Sequence, residues 1–339
     1  MSKMREETCI YNGILTSQRE AKRRKSAMLL KRLPNAPSTS GTKRTKCDEV
    51  EGPGGCCEEE RADSVTHERR NIVSLYVREA GPCDAPAVLF LHGLGLSSAM
   101  WQPQFERLAD DFHCLAPDLP VCGKSAASGS FTLKDASQRV ADVIRERIPG
   151  RSAHVVGISI GGAVALQMLC DEPRVLDHLL VSGTATRMPS FLESLNRLDE
   201  KSVSLLNRER LAESLISQYH VPQAYRSLLL ADLRKAKPEA LLHVSRVLTK
   251  VELPTESKVP TLIVVGQEEP FVTKHAAYEM SRALSGATCV LVPGVGHLWN
   301  LEAHDLFTQT VRAWIQDEPL PLKLVPLLSH GTAAISQVI

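Results

Sequence analysis

The chain is poor in several features that would have fixed its role at once. Only 4% of its 339 residues are aromatic, and 40 basic against 39 acidic side chains leave a formal charge of +1. No global field therefore favours nucleic acid, a membrane surface or a charged substrate. No apolar run reaches the roughly 18 residues of a membrane helix, and the first residues hold no hydrophobic signal core, so no integral membrane segment is expected. The nine cysteines (Cys9, Cys47, Cys56, Cys57, Cys83, Cys114, Cys122, Cys170 and Cys289) show neither zinc-site pairing nor the density of a secreted disulfide framework. Reduced thiols and a cytoplasmic compartment follow as the expectation. His-x-x-x-His, Cys-x-x-Cys and Gly-x-x-x-x-Gly-Lys patterns are all missing, so no metal, nucleotide or other cofactor is expected. There is no internal repeat.

What is present divides unevenly. Residues 1–70 hold few apolar clusters, a basic block Lys22-Arg23-Arg24-Lys25, a turn-rich stretch from Leu33 to Gly41 and an acidic patch Glu58-Glu59-Glu60. Such a segment buries too little apolar surface to offset its ordering entropy and reads as a disordered extension. The run from Ala21 to Leu33 reads first as a solvated charge run, and leaves nuclear or organellar targeting or a membrane-surface contact open. Glu6, Glu7 and Glu20 count against an organellar transit peptide.

From residue 71 the pattern changes. Ile72 to Val77 alternates like a half-buried strand, whereas Ala87 to Leu91, His113 to Asp118, His154 to Ile158, Val175 to Val181, Thr261 to Val265 and Ala287 to Val292 are short continuous apolar runs of the kind covered on both faces of a parallel sheet. Helical patterns over about 100–109, 134–148 and 303–316 alternate with them, which implies an α/β domain with helices on both faces of a mostly parallel sheet. Between residues 185 and 258 no strand pattern is convincing and several helical ones recur. That interval reads as a helical cap inserted between two parts of a core, 71–184 and 259–318, over the carboxyl edge where such sheets bind ligands. The tail 319–339, with Pro319 and Pro321, is expected to be loosely packed.

The chemistry gathers around Gly157-Ile158-Ser159-Ile160-Gly161, at a junction of strand and helix. A serine on such a turn projects its hydroxyl out of the fold, and the flanking glycines spare the crowded turn a Cβ. A serine needs a base to take its proton, and the base needs an acid to fix its tautomer. Both follow strand ends in the order serine, acid, histidine: Gly266-Gln267-Glu268-Glu269-Pro270, then Gly294-Val295-Gly296-His297. Glu269 and its neighbour Glu268 are both candidates for the acid; alternation points one of them away. His92, His154, His220, His243 and His304 read as structural, as does Asp118, which precedes the serine.

These pieces, with Leu91-His92-Gly93, Asp118-Leu119-Pro120 followed by Gly123 and Ser125, and Glu302 after His297, resemble a capped serine-hydrolase branch of the α/β-hydrolase superfamily over about residues 72–316. In the order that family counts its core strands, they follow the third, fourth, fifth, seventh and eighth. The resemblance implies an eight-stranded-type sheet, Ser159 as nucleophile, His297 as base and then acid, Glu269 as the aligned triad acid where aspartate is usual, and the backbone N–H groups of Leu94 and Ile160 as oxyanion hole. Val121 stands where the family's loop commonly has glycine, a departure expected to alter loop shape more than chemistry. Serine at 159 argues against the carboxylate-nucleophile branches that open epoxides or remove halides.

The function implied is hydrolysis of a small, mostly apolar ester, lactone or thioester through an acyl-enzyme on Ser159, as in similar esterases and enol-lactonases. Two alternatives stand beside it: C–C bond hydrolysis with the same triad, and a non-catalytic ligand-binding protein retaining the fold, motivated by Glu269 and the charged N-terminal arm. Trp101, Leu298, Trp299 and Phe191 flank the catalytic turns or open the cap and are expected to bind an apolar acyl substrate; no nucleic-acid partner is expected, and nothing in the sequence bears on oligomeric state.

Overall fold

Strand residues that are apolar at every position need cover on two sides, and the arrangement of the sheet supplies it. The computed structural model describes residues 74–185, 207–219, 221–247, 251–254 and 256–327. The expectations for residues 1–70, for His220 and for the start of the cap, including Met188 and Phe191, fall outside the described residues. In chain order the elements are β1 (Val77–Ala80), β2 (Ala87–Leu91), α1 (Gln102–Leu108), β3 (His113–Pro117), α2 (Leu133–Arg147), β4 (Ala153–Ile158), α3 (Ile160–Asp171) and β5 (Leu176–Ser182), then the helices α4 (Arg208–Gln218), α5 (Gln223–Lys235) and α6 (Pro238–Val247), then β6 (Thr261–Gly266), α7 (Phe271–Ala283), β7 (Thr288–Val292), α8 (Trp299–Glu302), α9 (His304–Ile315) and β8 (Val325–Pro326).

The eight strands form one sheet in the order β1-β3-β2-β4-β5-β6-β7-β8. The six from β2 to β7 run parallel, and β1 and β8 pair antiparallel at the two edges. Alternate residues divide between two apolar clusters. Leu89, Leu91, Val155, Leu179, Val181, Ile263 and Val265 pack with Val140 and Ile144 of α2, Leu166 of α3 and Met280 of α7. Val88, Phe90, Val156, Ile158, Leu180, Leu262 and Val264 pack with Phe105 of α1 and Phe307 and Val311 of α9. Each large side chain buried in this way contributes on the order of 1.5–3 kcal/mol. The covering helices carry their own start signals: the Thr132 hydroxyl accepts from the Asp135 N–H at 3.0 Å at the head of α2, with Arg145 and Arg147 in its last turn.

Two expectations change. Of the strand expected over Ile72–Val77, Ile72 and Val73 lie outside the described residues, and the first strand among the described ones is Val77–Ala80, whose register is set by β3, with Val77 opposite Pro117 and Ala80 opposite Cys114. The start of the C-terminal tail is not loose: Leu324 is buried and Val325–Pro326 extend the sheet beside β7, so it is the tail that brings the strands to eight. Pro326, which has no N–H to give to a ladder, is tolerated there because β8 is an edge. Among the described residues of the interval 185–258 the only regular elements are helices, as expected, and no helix among the described residues is long and apolar enough to cross a membrane.

His154 on β4 and His178 on β5 lie with ring centroids 5.0 Å apart, and His178 also meets Trp314 of α9 edge-on. Burial, and then the neighbouring imidazole, hold the His154 pKa below its ordinary value. Above the unfolded value near 6.5 this contribution is intact; as pH falls from there through the lower folded value, the unfolded chain takes up a proton that the fold refuses, and stability is lost. Urea midpoints measured between pH 7 and 5 should therefore fall less steeply for His154→Gln than for the wild-type protein.

Candidate active site

The carboxyl ends of β2, β4, β5, β6 and β7 converge, and each delivers one part of the site. β4 runs into Ser159, which stands at φ 59°, ψ −120°, a left-handed backbone that a residue with a Cβ takes only at a cost of about 1–3 kcal/mol. The surroundings impose it: the Ser159 N–H donates to the Ser182 carbonyl at 2.9 Å at the end of β5, and the Ser159 carbonyl accepts from Ala163 of α3 at 3.1 Å. The elbow is tight on both sides. A Cβ on Gly157 would come within 2.5 Å of the Gly161 carbonyl oxygen, and one on Gly161 would collide with the backbone of Leu91 at the end of β2.

That contact between α3 and β2 brings the two expected oxyanion donors to one edge. Ile160 opens α3, so its N–H is among those that intrahelical bonding leaves over. Leu94 lies inside the turn closed by the Leu96 N–H donating to the Gly93 carbonyl at 3.2 Å, with Gly95 at φ +74°. The side chain of Ser159 lies against Gly93, 3.8 Å from where a Cβ on that glycine would be. His92 beneath the turn is structural, as expected. The Leu119 N–H donates to its Nε2 at 2.9 Å, so the ring proton sits on Nδ1, 2.8 Å from the Gly93 carbonyl. Complete burial pushes the His92 pKa down and keeps the imidazole neutral. Asp118 is structural too, its carboxylate accepting from the Ser98 and Lys124 N–H groups, both at 2.7 Å. Val121 stays in the left-handed region at φ 63°, so the loop takes the backbone a glycine would allow and carries the strain of a branched side chain.

The acid and the histidine meet. Glu269, 3% exposed after β6, accepts from His297 Nδ1 at 2.8 Å through Oε2 and from the Gly266 N–H at 3.1 Å through Oε1. Glu268 points to solvent, and only its main chain joins the site, donating to the Val295 carbonyl at 3.0 Å. Of the two candidate acids the structure thus brings Glu269 to the histidine and not Glu268. The turn that carries His297 is held by Glu302, which accepts from the Gly296 N–H at 3.0 Å.

The two described aromatic residues expected to line a substrate pocket, Trp101 and Trp299, do something else. Trp101 and Trp299 have no exposed surface. Trp101 packs between Phe90 and Phe307, and Trp299 lies against Phe307 and donates its Nε1–H to the Ser182 hydroxyl at 2.8 Å. Leu298 is 2% exposed in the same cluster. Closeness in sequence to the catalytic turns placed these residues in the core beneath them. Phe191 lies outside the described residues.

Sequence reasoning missed three residues around the histidine and the Leu94 turn. Gly183, at φ +59° just after β5, leaves room for the imidazole. Tyr219, at the end of α4, stacks on the His297 ring with centroids 4.8 Å apart and planes 21° apart. Asp232 of α5 accepts from the Ser97 hydroxyl at 2.5 Å, while Leu233 and Leu241 come within 3.0 Å of where a Cβ on Gly95 would stand. Burial raises the Asp232 pKa, against the Ser97 hydrogen bond, which lowers it. None of the three belongs to a local motif; each is defined by what the fold places opposite it. On Gly183 a methyl group would stand 2.8 Å from His297 Nδ1 and 3.1 Å from Glu269 Oε1, besides the penalty of its backbone conformation. Gly183→Ala should cost at least about 1–2 kcal/mol, read as a fall of roughly 2–8 °C in Tm by calorimetry.

Comparison with known proteins agrees with this fold. The model of the alpha/beta hydrolase family matches residues 88–310, about two thirds of the chain. The chain is 26% identical over 253 residues to a carboxylesterase of Bacillus subtilis, covering 71% of this chain and 83% of that one. It is likewise 26% identical over 260 residues to a pimeloyl-[acyl-carrier protein] methyl ester esterase of Pectobacterium carotovorum, covering 72% of this chain and 100% of that one. Among solved structures, the enol-lactonase from Burkholderia xenovorans superposes with a TM-score of 0.61 at 22% identity, over 71% of this chain and 96% of the other. With the parallel sheet, the elbow at Ser159 and a match of this length, the chain belongs to the alpha/beta hydrolase family.

Proposed function

We propose that the protein is a serine hydrolase that cleaves a small, mostly apolar ester, lactone or thioester through an acyl-enzyme on Ser159. The observation that carries this reading is the buried Glu269 carboxylate on His297 Nδ1, at the same sheet edge as a serine held in the strained elbow conformation. A carboxylate at Nδ1 fixes the tautomer in which Nε2 is the basic atom and stabilises the imidazolium that forms. His297 takes the Ser159 proton on Nε2 as the hydroxyl oxygen adds to the substrate carbonyl. The oxyanion that develops is received by the N–H groups of Leu94 and Ile160, aided by the positive end of α3, each donor being worth about 2.7–4 kcal/mol to the transition state. His297 returns the proton to the leaving group, and water then releases the acyl group by the same steps in reverse.

The helices α4 to α6 act as the cap of this reading, between core parts 71–184 and 259–318. Carboxylesterase and methyl ester esterase relatives support ester bonds as the substrate class. Of the two motives for the binding-protein alternative, the N-terminal arm lies outside the described residues, and the glutamate supports catalysis instead, engaging the histidine with one oxygen and the backbone with the other. A fluorophosphonate probe followed by peptide mapping should label Ser159 in the wild-type protein and nothing in Ser159→Ala, which should also lose hydrolysis across a panel of short-chain acyl esters. Glu269→Gln, which presents the wrong group to Nδ1, should reduce kcat by a factor on the order of 10⁴ with a folded protein by circular dichroism. A wild-type protein that hydrolyses none of the esters and resists the probe would sink the proposal.

A further inference from the structure

The base is covered by a ring that comes from the helical insertion and not from the sheet. Tyr219 closes α4, where its N–H donates to the Leu215 carbonyl at 3.0 Å, and the next turn is pinned by the Val221 N–H donating to Ile216. Ala212 and Ile216 of the same helix are buried in the apolar cluster that also holds Leu298 and Trp299. The phenol is thus fixed by its helix before it meets the histidine, and it lies almost parallel to the imidazole at 4.8 Å. Burial, and then the Glu269 charge, push the Tyr219 pKa up, so the ring presents a neutral π-face throughout the working pH range. The described titratable groups that meet the imidazole are this phenol and Glu269.

Resting on the serine-hydrolase reading, we propose that Tyr219 is a positioning residue for catalysis, holding the His297 ring in its bond to Glu269 and stabilising by its π-face the imidazolium formed when the Ser159 proton arrives. A hydrogen bond at Nδ1 restrains the imidazole in its plane but leaves it free to swing about that bond, and a stacked ring removes that freedom. The same face attracts a cation and is nearly indifferent to the neutral imidazole, so its effect falls on the charged state through which each half-reaction passes. It also makes the machinery depend on the insertion, since displacing α4 uncovers the base.

The variant that separates this role from packing is Tyr219→Leu, which keeps apolar bulk and removes the π-face; Tyr219→Phe keeps the face and removes the hydroxyl. With a short-chain ester, Tyr219→Leu should lower kcat roughly five- to thirty-fold with KM within about two-fold of wild type. It should also move the acid limb of the kcat/KM profile to lower pH by roughly half a unit to one unit, because the imidazolium has lost a stabilising partner. Tyr219→Phe should stay within about two-fold of wild type in both measures. Should the leucine variant melt far below the wild type, Tyr219→Met takes its place. The inference is overturned if leucine and wild type share one kcat and one pH profile, if phenylalanine is as impaired as leucine, or if the loss falls on KM alone, which would make Tyr219 a substrate contact. A wild-type protein that labels with fluorophosphonate while Tyr219→Leu labels at the same rate defeats this inference only; a wild-type protein that neither labels nor hydrolyses removes the base and the serine-hydrolase reading with it.

Discussion

Ser159 occupies its left-handed conformation because three neighbouring segments hold it there: the end of β5, α3 and, behind α3, β2. Its N–H is tied to Ser182 on β5, its carbonyl to Ala163 of α3 and to the Thr184 hydroxyl at 3.2 Å, and the helix behind it rests on Leu91 of β2 through Gly161. The conformational cost of one residue is small beside the apolar burial of β4 and α3, nearly all of whose side chains are in the core. The constraint that holds Ser159 in this conformation also turns the chain so that α3 begins with Ile160, whose N–H intrahelical bonding leaves over. The nucleophile and one oxyanion donor of the proposed mechanism are therefore two consequences of one bend.

Around that bend the protein treats its histidines in opposite ways. His92 is sealed in the interior, given one donor and one acceptor by the backbone, and kept neutral by burial. His297 keeps 14% of its side-chain surface and receives a carboxylate that has none exposed. A buried charge is tolerable only if its oxygens are satisfied, and both oxygens of Glu269 are engaged. The longer arm of glutamate spans from a main chain that is itself hydrogen-bonded back to Gly266 to the histidine on the next strand's turn, which fits it to the acid's place in the proposed triad.

Much of this was legible in the sequence, for a physical reason. Continuous apolar runs, the glycines of the elbow and the order serine, acid, histidine are local signals, and the strands place them on one edge without further information. Only the alignment implied by the family resemblance pointed to Glu269; the residue pattern by itself left Glu268 and Glu269 open, because the difference turns on which side of a bend each faces. Trp101 and Trp299 were misplaced for the same reason: a large apolar residue beside a catalytic turn is as well suited to the core below as to a pocket above, and only the opposing Phe307 decides. The edge strand β8 is two residues long and ends in proline, too short to carry a periodicity. Tyr219 and Gly183 carry no signal at all until α4 and β5 are brought to the histidine.

The helical insertion touches both charge-handling parts of the site. Through Asp232 and the leucines at 233 and 241 it braces the loop that presents Leu94, and through Tyr219 it covers His297. The sheet alone fixes Ser159 and the pairing of Glu269 with His297, since these are bonded to strands or strand ends. What the insertion adds is restraint of the Leu94 turn and the His297 imidazole, the two groups that the proposed mechanism asks to meet a changing charge. On the serine-hydrolase reading, variation in α4 to α6 therefore acts on rate, because Tyr219, Asp232, Leu233 and Leu241, which lie on or at the ends of these three helices, meet His297 and the Leu94 turn.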